Sequence, residues 1–212
     1  MRKWTLTISV FVIYTIISFY VKIIGENNIP GNLALLTLIT NDRPQYLNSV
    51  MIIVSKYGRE YFWLAIIILL WIFGEEKEKK VSMVMALGFI IAIILGELSK
   101  LLIAQPRPNI SFHLISESPN DYSYPSGHAL IVATGAIIAL LTLPYIISIP
   151  LLLESISVSY SRIYLGVHWP IDIVGGWVLG LAIALLMNRI NEKLDPFYKI
   201  LIKIWNKLIS NL

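Results

Sequence analysis

The sequence predicts an all-α membrane protein, a bundle of six transmembrane helices with short interfacial helices. Three observations predict it. Hydrophobic side chains make up 57% of the 212 residues and charged ones only 14%, whereas a soluble domain carries about 25% charged residues. The apolar residues gather in runs close to the ~20 that a helix needs to cross a bilayer. Between the runs lie Gly, Pro and clustered charge. This pattern excludes a soluble globule and a disordered chain. The absence of cysteine excludes disulfides, thiolate metal sites and cysteine nucleophiles.

The first span is Trp4–Ile24. It follows Met1-Arg2-Lys3 and precedes no small-residue cleavage site, so it reads as a retained helix and not a signal peptide. Residues 25–48 form a loop broken by Pro30, Gly31 and Pro44. Within it, Leu33–Ile39 is apolar but too short to cross. Tyr46–Tyr57 reads as a short amphipathic helix leading into the second span, Arg59–Phe73. A charged turn, 74–80, precedes the third span, Val81–Ile103. A polar loop, 104–125, leads to the fourth span, Ser126–Leu143, and the fifth is Ile146–Tyr164 with Pro150 as a bend. The sixth is Pro170–Met187. Beyond Pro196, Phe197, Ile200, Leu201, Ile204 and Leu208 share one side, while Lys199, Lys203 and Lys207 share another. That is an interfacial amphipathic helix, not a seventh span. The expected division is a transmembrane domain over 1–195 and an amphipathic C-terminal helix over 196–212.

The net charge of +4 fits loop lysines against an anionic leaflet, so no nucleic-acid partner is expected. Six spans place Arg2, Lys3, Lys77, Lys79, Lys80, Arg189, Lys193, Lys199, Lys203 and Lys207 on one side. Lys22, Arg43, Lys56, Arg59, Lys100, Arg107 and Arg162 fall on the other. The positive-inside rule then puts the termini of a multi-pass cell-membrane protein in the cytoplasm. No oligomeric state follows from the sequence.

Three polar clusters fall at the same, outer face: Lys100 with Arg107-Pro108, Pro125-Ser126-Gly127-His128, and Ser161-Arg162 with His168 and Asp172. Lys100 supplies a point charge, and Arg107 and Arg162 supply forked donors matched to phosphate oxygens. Ser126 and Gly127 begin a helix, whose free N–H groups favour an anion. The sum is a phosphate site built without a metal or other cofactor. Asp172, four residues after His168, is placed to orient that imidazole as a nucleophile. His128 is placed to protonate a leaving oxygen and then activate water.

These three clusters, in this order and at these spacings, resemble the signature of the type 2 phosphatidic acid phosphatase superfamily. The resemblance implies a six-helix membrane phosphatase that needs no metal. It implies His168 as nucleophile, His128 as acid and base, and Asp172 as orienter. Lys100, Arg107, Ser126, Gly127 and Arg162 are the implied phosphate ligands.

Outside the signature, Glu97 lies one turn before Lys100 and is expected to pair with it or to handle substrate or protons. The same alternatives hold for Glu154, inside the fifth span. His113 reads as a loop residue. Trp4, Trp63, Trp71 and Trp205 read as interfacial belt residues. The expected substrate is a lipid phosphate, with a polyprenyl diphosphate (dolichyl or undecaprenyl) favoured. That preference rests on a compact chain and on residues 48–61, which resemble the segment before the second span in microbial polyprenyl-diphosphate phosphatases. Phosphatidate or phosphatidylglycerophosphate is the alternative. A lipid-phosphate binder or translocator is the alternative without catalysis.

Overall fold

Every regular element in the described residues of the computed structural model, 2–114 and 121–210, is helical. The helices are α1 (Arg2–Ile24), α2 (Asn32–Asn41), α3 (Gln45–Gly58), α4 (Glu60–Phe73), α5 (Glu76–Ile103), α6 (Gly127–Thr142), α7 (Tyr145–Tyr164), α8 (Pro170–Ile190) and α9 (Asp195–Ile209). The expected polar loop lies partly, at 115–120, outside the described residues.

Four segments are long and apolar enough to cross a membrane: Trp4–Ile24, Glu76–Ile103, Tyr145–Tyr164 and Pro170–Leu208. The last of these runs from α8 through a short 3-10 turn, Asn191–Leu194, into α9. The helices α4 and α6 are apolar but shorter, with 14 and 16 residues. At 1.5 Å per residue they measure roughly 21 and 24 Å, against roughly 42 Å for the 28 residues of α5. The sequence reading of 74–80 as a turn is corrected here. Glu75 and Glu78 form a reciprocal capping box, so α5 begins at Glu76 and only Gly74 and Glu75 remain between helices.

The centre of the bundle is α6, buried continuously from Ala129 to Ala136. A helix apolar all round has no solvent face to present, so it takes the middle position. Helices α5, α7 and α8 pack around it, α1 packs on α8, and α4 packs on α5. The closest approach is between α6 and α8. A Cβ at Gly176 would lie 2.9 Å from the Ala129 Cβ, and one at Gly180 would lie 2.9 Å from the Ala133 Cβ. Two small residues four apart on each helix let the backbones meet, which is how helices associate where lipid removes the hydrophobic drive. That contact brings the first turns of α6 and α8, carrying His128 and Asp172, to one place.

Outward-facing Ile16, Phe19, Ile23, Ile94, Leu101, Leu153 and Ile156 are exposed. A soluble protein does not tolerate an apolar surface of this extent, and lipid solvates it. Two of the polar groups inside pair across helices. Ser155 Oγ donates to the Val132 carbonyl at 3.0 Å, and Trp177 Nε1 donates to Ser159 Oγ at 2.9 Å.

Trp63 corrects the belt reading. It is 1% exposed, packs on Gly135 and Phe89, and donates its indole N–H to Glu154 at 3.1 Å. Glu154 therefore has a structural partner inside the bundle. The C-terminal helix starts at Asp195 and is tied to α5 through Lys80–Asp195 and through Tyr198, whose hydroxyl donates to the Glu76 carbonyl at 3.0 Å.

Candidate active site

The three signature clusters, separated in the chain, converge on one cavity of about 330 Å³. It is lined by Arg59, Lys100, Arg107, Asp121, Gly127, His128, Arg162 and His168. The last turn of α5, the first of α6, the last of α7 and the loop entering α8 supply Lys100, Gly127, His128, Arg162 and His168, the α5–α6 loop supplies Arg107 and Asp121, and the α3–α4 break supplies Arg59. The α7–α8 loop is fixed in shape by Gly166. Its φ is +76°, and a Cβ there would lie 2.0 Å from the Phe112 carbonyl oxygen, so only glycine fits two residues before His168.

His168 is 1% exposed. Its Nδ1 donates to Asp172 Oδ2 at 2.9 Å, and its Nε2 accepts from Arg107 Nη1 at 3.0 Å. Those two contacts define a neutral imidazole with the proton on Nδ1 and a lone pair on Nε2. Burial, with Arg107 beside it, pushes the imidazole from its ordinary 6.5 to about 3, against the upward pull of Asp172. Asp172 Oδ2 also accepts from Ser123 Oγ at 2.5 Å and from the Trp169 backbone N–H at 2.8 Å. Three donors on one oxygen hold the carboxylate, and it in turn holds the ring.

The cations are equally constrained. Lys100 Nζ donates to Asp121 Oδ2 at 2.5 Å and to Glu97 Oε1 at 3.2 Å, so the expected Glu97–Lys100 pair is present. Arg107 donates through Nη2 to Asp121 Oδ1 at 2.6 Å and through Nη1 to the Val167 carbonyl at 2.7 Å. Asp121 therefore bridges two of the three cations among the expected phosphate ligands. Burial would raise its carboxyl, but Lys100 and Arg107 outweigh that and hold it at about 2. Arg162, 7% exposed, donates through Nη1 to Ser55 Oγ of α3. Its buried Nε has no partner among the described residues. Gly127 lines the cavity.

Ser126 stands apart from its expected place. Its hydroxyl accepts from the Ala129 N–H at 3.5 Å as the cap of α6, and its own N–H donates to the Asp172 carbonyl at 3.1 Å. Its groups thus tie α6 to α8 rather than face the cavity.

Arg59, Asp121, Ser123, Ser55 and Glu26 are site residues that the sequence reading does not single out. Arg59 Nη1 lies 3.4 Å from His128 Nδ1. In the sequence it counts only as a charge at the start of a span. Glu26 reads as a loop acid, yet it is 2% exposed and reaches the Asp172 carboxyl from behind. As ionised groups, Glu26 Oε1 and Oε2 and Asp172 Oδ1 would have no donor. Burial, and next the Asp172 carboxylate, push the Glu26 carboxyl from its ordinary 4.5 up to about 12. It therefore holds a proton at neutral pH and supplies the missing hydrogen bond.

A stability prediction follows from that proton. Folded Glu26 keeps it while the unfolded chain loses it, so the Glu26 contribution is intact below the ordinary value and lost as pH rises above it. Glu26→Gln keeps the shape and the neutral charge. The variant is expected to gain apparent melting temperature relative to wild type between about pH 5 and about pH 8. Thermal unfolding in detergent at both values checks this, and parallel curves would contradict it.

Against known proteins, a model of the PAP2 superfamily matches residues 81–196. An undecaprenyl-diphosphatase of Sulfolobus acidocaldarius is 45% identical over 205 residues, covering 94% of this chain and 97% of that one. The undecaprenyl-diphosphatase BcrC of Bacillus subtilis is 29% identical over 78% of this chain and 86% of its own. Among solved structures, the PAP2-type phosphatidylglycerolphosphate phosphatase of Bacillus subtilis superposes with a TM-score of 0.72. It is 26% identical and covers 91% of this chain and 98% of that one. A family match over more than half of the chain, with a relative this similar along nearly its whole length, means that the chain belongs to the PAP2 superfamily and is a membrane phosphatase.

Proposed function

We propose that this phosphatase hydrolyses a polyprenyl diphosphate to the polyprenyl monophosphate and inorganic phosphate through a phosphohistidine on His168. One observation carries the chemistry: a neutral, oriented imidazole whose Nε2 lone pair faces a cavity lined by cations. The terminal phosphoryl group sits between Lys100, Arg107 and Arg162, taking over the contacts of Lys100 and Arg107 with Asp121 and drawing the Arg107 N–H away from His168 Nε2. His168 Nε2 attacks it in line, and His128 protonates the leaving oxygen. Water activated by His128 then cleaves the N–P bond. Gly127 lets the first turn of α6 approach the anion. Ser126 contributes by holding that turn against Asp172.

An apolar groove of about 450 Å³ adjoins the cavity, sharing Arg59 and Gly127 with it. It lies between α4, α5 and α6, lined by Trp63, Leu64, Phe89, Ile93 and Leu130. A headgroup in the cavity with its tail in this groove fits a lipid substrate. The polyprenyl choice leans on the 45% identical relative, named for undecaprenyl diphosphate. The solved neighbour named for phosphatidylglycerolphosphate makes that lipid the second candidate.

In detergent with a chelator, the purified protein is expected to release phosphate from a polyprenyl diphosphate faster than from phosphatidylglycerophosphate. The cage itself supplies positive charge, and no three His, Asp or Glu side chains that could hold a metal cluster among the described residues. His168→Ala is expected to abolish turnover yet still bind inorganic phosphate. Arg107→Ala is expected to lose on the order of 100-fold in kcat/KM by removing charge-assisted bonds. Turnover by His168→Ala, or activity that vanishes with chelator and returns with magnesium, would overturn the mechanism.

The six-span reading is retained as part of this proposal, with α1, α4, α5, α6, α7 and α8 crossing and α2, α3 and α9 interfacial. Residues 1–195 then form the catalytic domain and 196–212 the amphipathic helix. The Lys and Arg distribution places the termini in the cytoplasm and the site outside, where a carrier diphosphate would be recycled after use. The cysteine-free chain allows a direct check with Lys77→Cys and Ser111→Cys, both at exposed positions. An impermeant thiol reagent on intact cells is expected to label position 111 and spare 77. The reverse pattern would invert the topology.

A further inference from the structure

Arg59 is a fourth cation at the cavity, and a single transferred phosphoryl group has no need of it. It stands in the break between α3 and α4, with its guanidinium 31% exposed. It lines both the polar cavity and the apolar groove. Its Nη1 lies 3.4 Å from His128 Nδ1. Its carboxylate contact is the adjacent Glu60, itself 53% exposed in side chain. Lys100 and Arg107, by contrast, share a carboxylate inside the cavity. An ordered line therefore runs through the site: the cation cage and His168, then His128, then Arg59, then the groove.

A diphosphate lipid laid along that line has its terminal phosphorus at His168 and its bridging oxygen at His128. Its second phosphate falls at Arg59, where the tail begins. We propose that Arg59 is the subsite for this second phosphate, the one that stays on the lipid, and that it makes the enzyme select diphosphates over phosphomonoesters. The inference rests on the phosphohistidine reading above.

In the first step the His168 Nε2–P bond forms and the bond from terminal phosphorus to bridging oxygen breaks. The electron pair stays on that oxygen, which takes the His128 proton, and His128 is left able to accept a proton from water in the second step. Charge then builds on the departing phosphate, beside Arg59. A fixed guanidinium there stabilises the transition state more than the ground state, so its effect falls on kcat as well as KM. A phosphomonoester with an alkyl leaving group places no phosphate at Arg59 and gains nothing from it. In the second step water attacks the phosphohistidine, the N–P bond breaks back to His168, and inorganic phosphate leaves. In that step no second phosphate lies at Arg59.

The test compares kcat/KM on polyprenyl diphosphate and on polyprenyl monophosphate for the wild type, Arg59→Gln and Arg59→Cys. In both variants the ratio of diphosphate to monophosphate is expected to fall on the order of 10- to 100-fold, the worth of one charge-assisted contact. Because the chain has no other cysteine, Arg59→Cys can be modified at one place. A cationic aminoethyl thiosulfonate is expected to restore part of the ratio, and a neutral methyl reagent to restore none. Thermal unfolding of the same samples in detergent reports that they are folded. Wild type active on the diphosphate, with the ratio unmoved by either variant or restored equally by both reagents, would overturn the subsite and leave the function standing. Wild type active on the monophosphate alone would overturn the diphosphatase reading itself.

Discussion

Cations packed around one small cavity repel each other, and the arrangement of this site answers that repulsion. Lys100 and Arg162 are buried and the Arg107 side chain is 8% exposed, so water screens them little. Asp121 provides an internal counter-charge by bridging Lys100 and Arg107. It remains ionised because those cations hold its carboxyl near 2. Burial, and after it the Arg107 charge, keeps the His168 imidazole neutral. Neutrality is what a nucleophile needs, since a protonated imidazole has no lone pair to offer. The same surroundings thus bind an anion and leave the attacking nitrogen unprotonated.

Behind the imidazole the problem has the opposite sign. Asp172 and Glu26 are both buried and adjacent, and two buried anions would be costly. A proton retained on Glu26 resolves this and leaves Asp172 as the single charge, with Ser123, Trp169 and His168 all donating to one of its oxygens. The helix scaffold sets the distances. The close contact of Gly176 and Gly180 with Ala129 and Ala133 brings α6 and α8 together. Ser126, bonded to the Asp172 carbonyl, locks their first turns in register.

Much of this was legible in the sequence because the groups that carry charge interrupt long apolar runs. Lys100, Arg107, His128, Arg162, His168 and Asp172 each lie at or near the end of a run, and the alternation of runs puts those ends on one face. The helices follow the expected runs with two departures: α2 (Asn32–Asn41) forms inside the expected 25–48 loop, and the capping box pulls five expected turn residues into the start of α5. What escaped depends on tertiary packing. Glu26 is an ordinary loop acid by sequence and is buried only because its loop folds under α8. Trp63 sits near a run end like an interfacial tryptophan, but Gly135 on α6 opens a seat for it inside the bundle. Asp121 and Arg59 look like solvated charges, and only the convergence of α3, α5 and α6 brings them to the cavity.

The central claim is that the buried, Asp172-held imidazole of His168 attacks phosphorus and carries it covalently. The most direct measurement is rapid acid-free quenching of the enzyme with a polyprenyl diphosphate radiolabelled on its terminal phosphate, followed by peptide mapping. The account predicts an acid-labile, base-stable phosphoryl group on the peptide containing His168, formed within the first turnover. Phosphate release through that turnover with no label on the protein, or label on His128 instead, would contradict it.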